Sequence, residues 1–402
     1  MPRLLNHLEH AFWAADQLSP LNFVFVAQLS GSLTLERLRG SLHRQLRRYP
    51  CLSMTILDSE ADGPQLVKAS IQPRIDVIAG GGWKGQLSSE LNTPFDCPTE
   101  PICRLKWVRS DDDSHVLMTF HHSVLDGRSG LRIFQSLIED ASALVAGTPL
   151  DPKIEPVRLW QGHIQTDSRP SQLRYGHGIE RWTLGSRPLA ERRMGAVAVS
   201  LDETETSTLI RRARTFGTSL TALFGAAHLL ALAAHFGRAG LYSLSMPVDW
   251  RDRAPDVGTD ALGLLVGEGR VVYRLSARDE LWSLARRMTG DIERLAPVAP
   301  PHHVTSAHAS DLKDVYGRRA STALSNLGRI DGFNLQPPLR VDDLFMAVSC
   351  GVFGDQIMTL LTHQNRINAL FCVAVPTVSP PSAEAIADLT RARLTDAIGP
   401  LV

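Results

Sequence analysis

Apolar residues fall along this chain in two rhythms. Leu21 to Leu29 and His115 to Phe120 are short, nearly unbroken apolar runs, and both read as strands, the second as a buried one. Cys51–Leu57, Ile102–Arg109, Gly195–Leu201, Tyr242–Val248 and Asn368–Pro376 read as further strands. Leu344–Cys350 and Ile357–Leu361 read as a strand pair joined through Gly351–Asp355. The other rhythm is helical. Thr34 caps a run with Leu35, Leu38, Leu42 and Leu46 on one face, which stops at Tyr49-Pro50. Leu131, Phe134, Leu137, Ile138 and Leu144 repeat with the same period. Helices are also predicted from Asp202 or Glu203 to about Thr215, over Leu220–Phe236 behind a Thr218 or Ser219 cap, over Asp279–Leu295, and from Pro380 or Ser382 to near Gly399. Ala14–Pro20 is polar and reads as a turn, and Ser59–Gly63 and Gly80–Gly82 read as loops. The mixture of periods places the chain in the α/β (α+β) class.

From Gly147 to about Arg192 the periodicity fades, and Pro, Gly, Arg and Ser accumulate. That stretch reads as a crossover between domains. The expected organisation is an N-terminal subdomain over 1–150, a linker over 151–192 and a C-terminal subdomain over 193–402. A length of 402 residues favours two domains or one large one. Hydrophobic residues make up 44% and charged residues 21%, ordinary for a globular protein, and the formal net charge is zero. A nucleic-acid partner would need a basic stripe, which the even charge does not suggest. The five cysteines are odd in number and lack metal-type spacing, so they read as small buried apolar residues in a reducing compartment. The N-terminus lacks an apolar segment followed by a cleavage site, and no apolar run reaches membrane-spanning length, so a cytoplasmic protein is expected. Asp111-Asp112-Asp113 reads as a solvated hairpin tip, because three adjacent side chains in a turn do not converge on a metal. His228 and His235 share one helix face without a carboxylate or Cys at matching spacing, and read as buried or half-buried helix histidines.

The chemistry concentrates in His121-His122-Ser123-Val124-Leu125-Asp126-Gly127, at a strand-to-helix turn. Histidine suits proton transfer at neutral pH. An Asp four residues after His122 can fix the loop by pairing with an Arg, and Gly127 permits a positive φ or a close backbone approach. The plainer reading is a histidine pair holding a turn, with Asp126 capping the next helix. The strand before and the helix after favour the functional reading.

The pattern His-His-x-x-x-Asp-Gly resembles the active-site motif of the CoA-dependent acyltransferase superfamily. That group includes chloramphenicol acetyltransferase, peptide-synthetase condensation domains, plant acyltransferases and polyketide-associated acyltransferases. Arg48-Tyr49-Pro50-Cys51-Leu52, Pro94-Phe95-Asp96, Pro247-Val248-Asp249-Trp250-Arg251 and Leu262–Gly267 resemble other segments of the group, in the expected order. Ser325-Asn326-Leu327-Gly328 resembles a loop of its alcohol-acylating members. The resemblance implies two similar chloramphenicol acetyltransferase-like sandwich subdomains with a tunnel between them. It implies His122 as general base, His121 as a structural neighbour, and Asp126 turned away to pair with an Arg, for which Arg251 is the candidate. Ser325 and Asn326 are candidate oxyanion or acceptor contacts. No metal or resident cofactor is expected. The donor would be an acyl thioester, either acyl-CoA or bound to a carrier protein, and the acceptor an alcohol. No Gly-Gly-x-Ser carrier segment and no Gly-x-Ser-x-Gly elbow is found, which favours a separate donor and no acyl-serine. The alternatives are a condensation-type protein joining carrier-bound substrates, or a scaffold or cyclisation member of the group. The pair His302-His303 lacks the following Asp-Gly and carries little weight.

Overall fold

The computed structural model describes residues 2–59, 61–109, 114–162, 188–251, 257–295, 320–330, 332–350 and 353–399. Asp111–Asp113, His302-His303, Asp252-Arg253 and most of the expected crossover lie outside the described residues. The first half runs β1 (Arg3–Leu4), α1 (His7–Asp16), β2 (Asn22–Ser30), α2 (Leu35–Arg48), β3 (Met54–Ser59), β4 (Gly63–Lys68) and β5 (Ile75–Ala79). It continues through α3 (Trp83–Asn92), β6 (Cys103–Arg109), β7 (Ser114–His121) and α4 (Gly127–Ala146). The second half runs β8 (Arg193–Ala198), α5 (Glu203–Thr215), α6 (Leu220–Phe236), β9 (Gly240–Asp249), β10 (Val266–Leu275) and α7 (Leu281–Glu293). It ends with β11 (Thr322–Ile330), β12 (Arg340–Val348), β13 (Gln356–His363), β14 (Arg366–Val375) and α8 (Pro380–Ile398).

The chain divides into two compact units. In the first, a five-stranded sheet has the order β12-β2-β7-β6-β5, beside a small β1-β4-β3 sheet. Six consecutive residues of β2, from Asn22 to Ala27, are buried. The reason is cover on both faces. Phe25 stacks on Phe134 of α4, while the Asn22 side chain, on the opposite face, donates to the Glu90 and Thr93 carbonyls at the end of α3. Helix α1 is absent from the hydrophobic reading, which placed a turn at Ala14–Pro20. It begins with a capping box between Asn6 and Glu9, and Ala11, Ala14 and Ala15 are its buried apolar residues. Small side chains give a weak periodic signal, so the helix end was taken for the turn that follows it.

The first unit also takes in Trp250–Leu265 and Asp331–Ser349, so its boundaries are not one contiguous stretch as the linker position suggested. The physical reason for the later segment is strand pairing. β12 lies antiparallel along β2 from Arg340↔Ser30 to Val348↔Phe23, and so pairs the β2 edge that β7 leaves open. This also corrects the expected pairing of Leu344–Cys350 with Ile357–Leu361. β12 and β13 are in different sheets, and β13 pairs with β11 and β14 instead.

In the second unit a six-stranded sheet has the order β10-β9-β11-β13-β14-β8. Its core joins the sheet to helices α5 to α8. His228 is fully buried in α6 between the hydroxyls of Thr390 and Thr322, each 3.1 Å away. Burial pushes its pKa down to about 3, so it is a neutral staple between helix and sheet. Ser325–Gly328 is not a free loop. It lies within β11, where the register against β13 shifts between Asn326 and Arg329, and Gly328 takes a positive φ of 76°.

Candidate active site

β7 ends at His121, opposite Asn22 of β2. Successive side chains alternate across a sheet, so the two histidines leave the strand in opposite directions. His121 follows Asn22 and is completely buried. His122 turns the other way, with its ring edge-on to Phe23 and to Phe12 of α1, at centroid separations of 4.9 and 5.1 Å. Its backbone N–H donates to the Leu21 carbonyl at 2.9 Å. Gly130 of α4 makes room for this arrangement, because a methyl group there would collide with the Phe23 ring.

The tutored atom of His122 is Nδ1, which lies 2.9 Å from the Leu125 carbonyl oxygen. A carbonyl oxygen only accepts, so Nδ1 carries the proton of the neutral ring and Nε2 keeps its lone pair. Burial lowers the His122 pKa below the ordinary histidine value, and Asp126 and the Leu125 carbonyl offset this only in part. The side chain therefore rests as a neutral imidazole with Nε2 as its basic nitrogen.

Asp126 does two jobs. As N-cap of α4 it accepts the Ser129 N–H at 2.8 Å. It also faces Arg251, whose Nη1 and Nη2 donate to Oδ2 and Oδ1 at 2.9 and 3.2 Å. The two side chains are 6% and 3% exposed, so this is a buried, bidentate pair. The Leu265 N–H adds a bond to Oδ2 at 2.8 Å, and the Asp126 N–H donates to the Gly263 carbonyl at 3.1 Å. Ser129 completes the lock. Its hydroxyl donates to the Gly263 carbonyl at 2.9 Å and accepts from the Gly263 N–H and from Arg251 Nη2. Arg251 Nε donates to the Ala261 carbonyl at 2.8 Å. The Asp126 carboxylate is thus engaged by Arg251 and Leu265 of the Trp250–Leu265 segment and by the Ser129 N–H of its own helix. Gly127 is the first residue of α4 and is not among the glycines with positive φ, so of the two expectations for it, a positive φ or a close backbone approach, the first does not hold.

The first unit therefore brings together His121, His122, Asp126, Gly127 and Arg251. Ser325 and Asn326 belong to the second unit. The Asn326 amide is held there, donating to the Thr221 hydroxyl at 2.9 Å and accepting the Gly328 N–H at 2.7 Å. Sequence reasoning missed Ser129, Phe12, Phe23 and Asp16. Ser129 had a legible signal, being the third residue of a helix behind a capping Asp. Phe12 and Asp16 needed the helix α1 to be recognised first. Among the described residues, no three His, Cys, Asp or Glu side chains converge as a metal site, and no single helix is long and apolar enough to cross a membrane.

The two units of mixed helix and sheet have the fold seen in condensation domains and in an acetyltransferase. Residues 190–373 match the family model described as phthiocerol/phthiodiolone dimycocerosyl transferase C-terminus. A nonribosomal peptide synthetase of Curvularia clavata is 29% identical over 181 residues, which are 40% of this chain and 1% of that protein. The phosphinothricin tripeptide synthetase PhsC of Streptomyces viridochromogenes is 27% identical over 207 residues, 45% of this chain and 18% of that protein. The chain thus spans a small part of the length of these synthetases. Polyketide synthase associated protein 5 from Mycobacterium tuberculosis superposes with a TM-score of 0.73 at 16% identity, covering 98% of this chain and 100% of that one. Trichothecene 15-O-acetyltransferase from Fusarium sporotrichioides gives a TM-score of 0.70 at 11% identity, covering 98% and 94%. At these identities the structural likeness is one of fold. The family model and the relatives support a place for the chain in the CoA-dependent acyltransferase and condensation superfamily.

Proposed function

We propose that the protein transfers an acyl group from a thioester to an alcohol, with His122 as general base. The observation that carries this reading is the Leu125 carbonyl on Nδ1, which leaves Nε2 basic on a neutral ring. In the proposed reaction Nε2 accepts the hydroxyl proton as the acceptor oxygen attacks the thioester carbonyl. A tetrahedral oxyanion forms and the carbon–sulfur bond then breaks. The proton on Nε2 passes to the departing sulfur, so the products are an ester and a free thiol, and the ring returns to its starting state. Asp126 takes no part in the proton transfer in this reading. It is engaged by Arg251, Ser129 and Leu265, and it holds the turn that carries His122.

An alcohol acceptor is supported by the likeness of Ser325-Asn326-Leu327-Gly328 to the alcohol-acylating branch, and by the fold shared with an O-acetyltransferase. The Asn326 amide is already engaged, by the Thr221 hydroxyl of α6 and by the Gly328 N–H. A second reading, amide formation from carrier-bound substrates, is supported by the peptide-synthetase relatives. One experiment separates them. The protein is mixed with acyl-CoA thioesters from acetyl to palmitoyl, and thiol release is followed with hydroxy and amino forms of the same acceptor in competition. Thiol release matched by ester is the expected result. Exclusive amide formation would overturn the alcohol assignment, and transfer only from a carrier-protein thioester would identify the donor as carrier-bound.

A further inference from the structure

Two independent contacts converge on a residue that the proposed reaction does not use. Asp16, at the end of α1, is buried and accepts the Leu21 N–H at 2.7 Å on Oδ1. The Leu21 carbonyl in turn accepts the His122 N–H at 2.9 Å. The other carboxylate oxygen, Oδ2, lies 3.4 Å from His121 Nε2. One side chain thus secures the backbone that receives His122 and the ring of the residue before it. The same helix sets Phe12, one turn earlier, against the His122 ring. We propose that Asp16 is a positioning residue for His122, acting through Leu21 and His121; this rests on His122 being the base.

The chemistry of the contact is specific to a carboxylate. The Ser123 N–H points at His121 Nδ1 from 3.2 Å, which makes Nδ1 an acceptor and places the ring proton on Nε2, facing Asp16. Burial alone would lower the proton affinity of His121. Asp16, with the nearby Cys97, outweighs it and raises the pKa, whereas the Ser123 N–H on Nδ1 opposes a second ring proton; in both protonation states Nε2 carries a proton towards Asp16. Apart from these two groups, the titratable neighbours are His122, next in the chain, and Asp126, whose charge acts on His122 from the α4 cap. A carboxylate can accept at both oxygens: Oδ1 takes the Leu21 N–H, and Oδ2 sits at ion-pair distance, 3.4 Å, from His121 Nε2, a buried atom with no other partner among the described hydrogen bonds. A carboxamide of the same shape accepts at one atom and donates at the other. It would present an N–H to the His121 Nε2–H, and moving the ring proton to Nδ1 would set it against the Ser123 N–H.

The test compares Asp16→Asn with the unaltered protein and with His122→Ala, using thiol release from acyl-CoA with an alcohol acceptor. Asp16→Asn should lower kcat by ~10- to 100-fold, the scale of a catalytic group displaced by up to about 1 Å, while KM stays within about twofold. Nitrogen NMR of the unaltered protein should show a proton on His121 Nε2 at neutral pH, lost from that atom in Asp16→Asn. Unchanged kcat in Asp16→Asn, or a loss confined to KM or to melting temperature, overturns the proposal while leaving His122 as base. A bare Nε2 on His121 in the unaltered protein overturns it whether or not the variant folds. Near-normal turnover by His122→Ala instead removes the general-base reading itself.

Discussion

Replacing His122 with alanine is expected to lower turnover by ~10²–10⁴, the usual worth of a general base, and to leave the fold intact. The size of the effect follows from what the side chain supplies. It is the partly exposed member of the pair, with its proton pinned at Nδ1 by the Leu125 carbonyl and its Nε2 left basic. Its neighbours are ring edges of Phe12 and Phe23, which fix orientation without offering a proton. The variant would keep the His122 backbone N–H bond to Leu21, because that bond needs no side chain. Circular dichroism and thermal melting should therefore stay close to those of the parent while steady-state thiol release collapses. Near-normal turnover would remove His122 from the mechanism.

The second large effect is expected on stability. Asp126→Asn removes one charge from a pair that is almost completely enclosed, and takes the Asp126 charge away from the buried Arg251 guanidinium. Breaking one side of such a pair costs ~3–5 kcal/mol, against ~0–1 kcal/mol for an exposed pair. The Leu265 N–H and the Ser129 N–H both end on the same carboxylate, so the damage should spread to the Trp250–Leu265 segment and to the start of α4. Equilibrium denaturation should show the loss, together with reduced turnover from a loosened turn. If Asp126→Asn lost activity with an unchanged denaturation midpoint, Asp126 would have a direct chemical role and the structural account of it would be wrong.

Much of this arrangement was legible in the chain itself. The strand-end histidines, the Asp126 cap and the long helix α4 all lie within one stretch, where local period and capping chemistry agree. The pairing of Asp126 with Arg251 was available only through the resemblance of Pro247–Arg251 to a known segment, since nothing local links residues 125 positions apart. What was not legible depended on non-local pairing. The position of β12 beside β2 is set by an open strand edge, which leaves no mark on the sequence of β12. Asp16 was hidden because α1 is short and its buried face is mostly alanine, so its end resembled the turn at Gln17–Pro20. The bulge in β11 was taken for a loop because Asn and Gly serve both, and only the strands on either side distinguish them.

The central claim is that a neutral His122 carries the proton, and the pH dependence of kcat/KM tests it most directly. Burial lowers the His122 pKa, so the basic form should persist to pH values below the ordinary histidine midpoint of ~6.5. The rate should rise with pH through a single protonation whose midpoint lies below that value, and then level off through neutrality. The residual rate of His122→Ala should lack this limb. A flat profile across the acidic range, or a limb that survives unchanged in His122→Ala, would contradict the account.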